Sequence, residues 1–178
     1  MDDLVTSSAK WEPFERPLFD NPKARDLSRV GVVDIGSNSV RLVVFDGAAR
    51  SPAYFFNEKV MCALGAGLAE TGALNPDGRL RALSALRRFC TIAKGIGLPT
   101  LTTVATAAVR EASDGPDFIA QVQSETGLKI HVIDGSEEAR LAAQGVLLGW
   151  PGSYGLVCDI GVVRWNWQRL PMGKWAKE

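Results

Sequence analysis

Val30-Gly31-Val32-Val33-Asp34-Ile35-Gly36-Ser37-Asn38-Ser39-Val40-Arg41-Leu42-Val43-Val44-Phe45-Asp46 holds two apolar runs, 30–34 and 40–46, on either side of a short polar turn. Both runs are rich in β-branched residues and are bounded by Gly, Ser and Asn, so both predict strands. The turn between them is too short for a helix and predicts a tight hairpin. Ala53-Tyr54-Phe55-Phe56 predicts a third strand.

Downstream, the period changes from two to that of a helix. Asn75-Pro76-Asp77 offers an N-cap, a first-turn proline and a carboxylate that complements the helix dipole. Leu80, Leu83, Leu86, Phe89 and Ile92 follow as the predicted inner face, with Arg79, Arg81, Arg87 and Arg88 facing out and Gly95 and Gly97 ending the helix. A fourth strand is predicted over 101–104 and a second helix from Pro116 to about Gly127. A fifth strand is predicted over 129–133, a third helix from Ser136 to about Gly149, and a sixth strand over 154–160. The order βββαβαβα, then a new strand, predicts an α/β fold whose mixed sheet is a meander extended by parallel crossovers. Residues 1–29 show no sustained period and carry Pro13, Pro17 and Pro22, so they are expected to form a flexible N-terminal arm. Its Trp11, Phe14 and Phe19 could dock on the domain.

Composition narrows the functional classes. With 178 residues, 46% of them apolar, the chain can bury one real core. Its formal net charge of +0 gives no basic surplus for capturing nucleic acid or a membrane surface, so neither is expected as a partner. Cys62, Cys90 and Cys158 are odd in number and lack C-x-x-C spacing, which argues against a disulfide scaffold or a structural zinc. No apolar run reaches the roughly 20 residues of a membrane span, and the first residues lack signal-peptide character. The expected location is cytoplasmic.

Four short segments carry chemistry. Gly36-Ser37-Asn38-Ser39 follows a strand, where a concave turn of backbone N–H groups and hydroxyls can cradle phosphate. It could equally be an ordinary hairpin turn, and it lacks the P-loop pattern. Asp34 stands at the end of the preceding strand, placed to hold a metal ion or a water. A second Asp-Ile-Gly, Asp159-Ile160-Gly161, ends another apolar run and suggests two related lobes facing one cleft. Arg110, in Thr106-Ala107-Ala108-Val109-Arg110, could aim a guanidinium at phosphate or lie on the surface. Glu137 and Glu138 open the third helix, either as dipole partners or as a base toward an attacking water. His131 is the one histidine and is expected to be structural.

Taken together, these segments resemble the exopolyphosphatase/guanosine pentaphosphate phosphohydrolase (Ppx/GppA) family. Gly31 to Leu42 resembles its first phosphate motif. Ala105 to Arg110, Ser136 to Arg140 and Val157 to Gly161 resemble the next three landmarks, in the family's order. The Ser-Asn-Ser-x-Arg continuation differs from that of sugar kinases and actin-like ATPases. The resemblance implies an actin-like, ribonuclease-H-like lobe over 30–150, with 151–161 beginning a second lobe that is otherwise missing. It implies release of terminal phosphate from inorganic polyphosphate or guanosine pentaphosphate with Mg²⁺. By position, Glu138 matches the general base and Arg110 the phosphate-contacting arginine. Asp34 and Asp159 match the acidic residues near the metal, and Gly36, Ser37, Asn38, Ser39 and Gly161 match the phosphate-holding turns. A non-catalytic phosphate- or nucleotide-binding module and a sugar-kinase lobe are the alternatives.

After Gly161 the pattern stops. The family continues with Gly-Gly-Ser, whereas here Val162-Val163-Arg164-Trp165-Asn166-Trp167 follows, with three of the chain's five tryptophans beyond this point and no helical or alternating period. A one-nucleotide shift accounts for this: GGT-GGT-TCG-ATG-GAA-CTG-GCA codes Gly-Gly-Ser-Met-Glu-Leu-Ala. Without its first G it reads Val-Val-Arg-Trp-Asn-Trp and then Gln or His. Residues 162–178 are therefore expected to be out-of-frame translation, and the chain inactive by itself. An unpaired strand at 154–160 and an uncovered lobe face further predict self-association.

Overall fold

A computed structural model describes residues 29–46, 53–160 and 165–170 of the chain. The expected arm and residues 161–164 lie outside the described residues, as do the side chains of Asp46, Ala53, Tyr54, Cys158, Asp159, Ile160 and residues 165–170. Strands β1 (Val30–Ile35), β2 (Ser39–Asp46) and β3 (Ala53–Met61) form an antiparallel meander. β4 (Leu101–Ala105) and β5 (Ile130–Val132) are added in parallel on the other side of β1. The five-stranded order is β3-β2-β1-β4-β5, the expected mixed sheet of a meander extended by parallel strands.

The hydrophobic alternation of β1 and β2 determines which face is covered. Val33 and Ile35 of β1 and Val40, Leu42 and Val44 of β2 fall on one face and are fully buried. Helices α2 (Pro76–Gly95) and α4 (Gly115–Thr126) close this core with Leu86, Phe89, Phe118 and Val122. The cap of α2 is the expected one: Asn75 accepts from the Gly78 N–H at 2.8 Å, with Pro76 in the first turn.

The inner face of α2 differs from the sequence expectation. Leu80 is 67% exposed, and Arg79 is turned partly inward, donating to Asp114 at 2.7 Å and to Gln121 at 3.1 Å. A strict three-residue spacing drifts about 60° per step around a helix, so Leu80 falls off the face of Leu86. Ile92, at the other end, is half-buried and still packs against the core. The buried stripe runs through Ala82, Leu83, Ala85, Leu86, Phe89 and Ala93, and its alanines carry little apolar signal in the sequence.

Three further elements go beyond the sequence expectation. β3 runs on to Met61 through the polar Asn57-Glu58-Lys59, as an edge strand can because one face meets water. Helices α1 (Leu68–Thr71) and α3 (Ala107–Glu111) are single turns, too short to give a period. Helix α5 (Gly135–Gly149) begins at the expected place and packs on a separate two-stranded sheet of β6 (Gly155–Ile160) and β7 (Trp165–Leu170). The expectation of an unpaired strand at 154–160 is thus wrong: β6 pairs antiparallel with β7, from Gly155 opposite Leu170 to Ile160 opposite Trp165. Within β7, Trp165 and Trp167 alternate with Asn166 and Gln168, and tryptophan is itself a good strand former.

Candidate functional site

The carboxyl ends of β1, β4 and β5 lie side by side. Two hydrogen bonds fix their alignment: Thr106 N–H donates to the Ile35 carbonyl at 3.2 Å and Ile133 N–H to the Ala105 carbonyl at 3.0 Å. Loops leaving the carboxyl ends of parallel strands are the usual ligand edge of an α/β sheet. Each of the three loops here carries one part of the site foreseen in the sequence.

The β1–β2 loop is the expected turn. Gly36 N–H donates to the Ser39 carbonyl at 3.0 Å, and a side chain at Gly36 would crowd that carbonyl at 3.3 Å. The Asn38 carbonyl accepts from both Cys62 and Ala63 N–H at 2.9 Å, and the Ser37 carbonyl accepts from Gly65 N–H at 2.8 Å. Because a trans peptide points its N–H opposite to its C=O, the Asn38 N–H faces away from the 62–65 segment. Asn38 is exposed, while Gly36, Ser37 and Ser39 are half-buried.

The β4–α3 loop delivers Arg110. Its Nη1 donates to the Ile133 carbonyl at 2.7 Å and lies 3.8 Å from Glu138 Oε2, while its Nη2 is 3.4 Å from Glu111 Oε1. Arg110 is therefore no loose surface arginine; both it and Glu138 are 19% exposed.

The β5–α5 loop delivers Glu138. Asp134 caps α5, accepting from Glu137 N–H at 2.9 Å and from Ser136 Oγ at 2.6 Å. The Ser136 hydroxyl, followed by the Glu137 N–H, holds the Asp134 carboxyl below its usual range. Glu137 takes the bland role, pairing with Arg140 one turn on, and Arg140 is raised by that bond. The two adjacent glutamates thus divide, with Glu137 on its own helix and Glu138 toward Arg110 of α3.

Asp34 is exposed at the end of β1, in register with Arg41 of β2 and Val104 of β4. Among the described residues no group of three or more His, Cys, Asp or Glu is placed to hold a metal. Mg²⁺ commonly uses one or two carboxylates completed by water and ligand phosphate, a donor set to which an exposed carboxylate such as Asp34 is suited. Asp159 lies in β6 opposite Asn166, outside the five-stranded sheet, and Gly161 is outside the described residues. His131 is half-buried within β5, opposite Val104, as a structural residue would be.

Sequence reasoning missed two contributors. Asp134 could have been found, since Asp134-x-x-Glu137 before an apolar helix is a capping pattern. The Cys62–Gly65 prop gave no signal, because its bonds to Ser37 and Asn38 span more than twenty residues.

Several known proteins are similar to this chain. Exopolyphosphatase 1 of Mycobacterium tuberculosis is 32% identical over 136 residues, covering 75% of this chain and 40% of that protein. The crystal structure of an exopolyphosphatase from Cytophaga hutchinsonii superposes with a TM-score of 0.70 at 32% identity, covering 75% of this chain and 44% of that one. A Ppx/GppA family member from Aquifex aeolicus gives 0.66 at 29% identity, covering 74% and 42%. This chain spans about two fifths of the length of the curated relatives it matches. Residues 32–161, from within β1 to just past β6, match the Ppx/GppA phosphatase family, and the chain belongs to that family.

Proposed function

We propose that this chain carries the first-lobe half of a phosphoric-anhydride hydrolase site, whose substrate is a chain of phosphates such as inorganic polyphosphate. The single observation behind this reading is the meeting of Arg110 and Glu138, 3.8 Å apart and partly withdrawn from water, at the strand edge that also bears the Gly36–Ser39 turn. The turn holds terminal phosphate through backbone N–H groups, and Arg110 supplies a fixed positive charge. Glu138 orients and deprotonates the attacking water. Asp34, with Asp159 as a second carboxylate, would hold Mg²⁺, which would offset phosphate charge. Guanosine pentaphosphate offers the same terminal anhydride and is the second substrate class to test.

The second phosphate turn is broken in this chain, because Val162-Val163-Arg164 stands where close backbone approach and a hydroxyl are needed. The match to the family ends at the same point, residue 161. Residues 162–178 are proposed to be read out of frame. Restoring one G before a suitable codon choice carries the shift to the last residue, giving Gly-Gly-Ser-Met-Glu-Leu-Ala-Ala-Ala-Ala-Asp-Gly-Gln-Val-Gly-Lys-Gly. Its first three residues restore the Gly-Gly-Ser turn. Sequencing the locus tests this, and absence of an in-frame Gly-Gly-Ser in the shifted frame refutes it.

This break favours binding without turnover as the activity of the chain itself. Calorimetry with tripolyphosphate and Mg²⁺, beside a phosphate-release assay, tests the whole reading. Binding that is lost in Arg110→Met, with little or no phosphate release, is expected. Absence of binding refutes the phosphate site, and turnover comparable to a full-length relative refutes the broken-loop argument.

A further inference from the structure

We propose that the turn Cys62–Gly65 is the clamp that sets the position of the phosphate turn, and that Arg81 is its positioning residue. This rests on the reading of Gly36–Ser39 as a phosphate cradle. Three backbone bonds join the two turns: Cys62 and Ala63 N–H share the Asn38 carbonyl, and Gly65 N–H takes the Ser37 carbonyl. Consecutive N–H groups converge on one oxygen only when the backbone is curled, and Ala63, at φ 53°, is the one non-glycine residue with positive φ among the described residues. A non-glycine residue in that region costs on the order of 1 kcal/mol, so the surrounding structure must hold it there.

That support comes from the first two turns of α2. Arg81 donates from both Nε (3.1 Å) and Nη2 (2.8 Å) to the Cys62 carbonyl, the far side of the residue whose N–H holds Asn38. Gly78 allows the close approach: a side-chain carbon there would lie 2.9 Å from the Ala63 carbonyl oxygen and Leu64 Cα, and 3.1 Å from the Cys62 oxygen. Gly65 plays the same part on the other flank, wedged between Ser37 and Ala108, 3.2 and 3.4 Å from where its Cβ would stand. The clamp therefore touches both the phosphate turn and α3, the helix of Arg110. A charged fork on one carbonyl is stronger than a neutral bond and fixes direction as well as distance. Arg81 touches no part of the candidate site itself; it acts through Cys62.

The test compares wild type, Arg81→Met, Arg81→Lys and the surface control Arg87→Met. Backbone amide exchange and tripolyphosphate calorimetry are both measured. Arg81→Met is expected to speed exchange at Gly36, Cys62, Ala63 and Gly65 while leaving the Leu86 and Phe89 amides slow. Tripolyphosphate should bind about tenfold more weakly, with Arg81→Lys restoring part of both and Arg87→Met changing neither. Wild-type exchange at those four amides in Arg81→Met overturns the clamp, whatever happens to binding. Faster exchange with unchanged binding overturns the positioning role. If wild type binds no tripolyphosphate yet exchange still rises at those amides, the clamp stands and the phosphate reading is the part that fails.

Discussion

Arg110 Nη1 stands 3.8 Å from Glu138 Oε2, and the two residues reach that distance from different helices, α3 and α5. The same Nη1 is committed to the Ile133 carbonyl at the end of β5, so the guanidinium ties the two helices to the sheet edge. At 19% exposure, neither charge is fully solvated, and removing Arg110 takes a nearby positive charge from Glu138 and Glu111 alike.

Arg110→Met is therefore expected to destabilise the fold by about 1–3 kcal/mol and to weaken phosphate-chain binding by more than about tenfold. Arg110→Lys keeps the charge but gives up the second nitrogen, Nη2, that lies by Glu111, and the planar fork, so it should recover stability better than affinity. Urea denaturation and calorimetry on the same preparations separate the two effects. Equal recovery of both would show that charge alone matters.

Acid sensitivity has an identifiable source away from the site. Burial pushes the Asp114 carboxyl up, but the Leu74 N–H at 2.8 Å and Arg79 at 2.7 Å together outweigh it and hold the group below its usual range. Unfolded, the same carboxyl titrates near about 3.9. Its stabilisation is thus complete above that value and fades as pH falls through the lower folded value. Melting curves between about pH 5 and pH 2 should lose stability on the acid side, with a shallower slope in Asp114→Asn. Identical slopes in the two proteins would remove Asp114 from the account.

Two glycines give opposite expectations from one substitution. A Cβ at Gly115 would fall 2.1 Å from the Val109 carbonyl oxygen, in the helix that carries Arg110, whereas one at Gly145 in α5 meets nothing within 4 Å. Gly115→Ala should cost about 3 kcal/mol or more by forcing α3 away. Gly145→Ala should stabilise by up to about 1 kcal/mol through helix propensity. Urea midpoints check both, and a neutral Gly115→Ala would mean that α3 moves freely.

Local chemistry was legible wherever a residue acts on its own neighbours. Asn75 and Pro76 announced the start of α2, the alternation in Val33, Ile35, Val40 and Leu42 announced the sheet, and Gly36–Ser39 announced the turn. Family resemblance put Arg110 and Glu138 in one site, yet neither spacing nor composition could give their separation, which depends on the β1-β4-β5 alignment. The Arg81 fork was illegible for a further reason: on a helical wheel Arg81 reads as one more solvated arginine. What makes it structural is a backbone carbonyl nineteen residues away, at Cys62.

The α5–β6 junction bears on the state of the chain in solution. No helix among the described residues is long and apolar enough to cross a membrane. Trp150, Tyr154 and Leu156 are 75%, 66% and 66% exposed, and together they present on the order of 400 Å² of mostly apolar surface. The neighbouring sheet has only two strands, which rely on packing against α5 for their stability. A second copy meeting this face would cover the three side chains and extend β6–β7. Sedimentation velocity is expected to show concentration-dependent association that Trp150→Glu, on the exposed side of the junction, suppresses without changing the thermal midpoint. A monomer at every concentration would show that these side chains, although exposed, do not drive assembly.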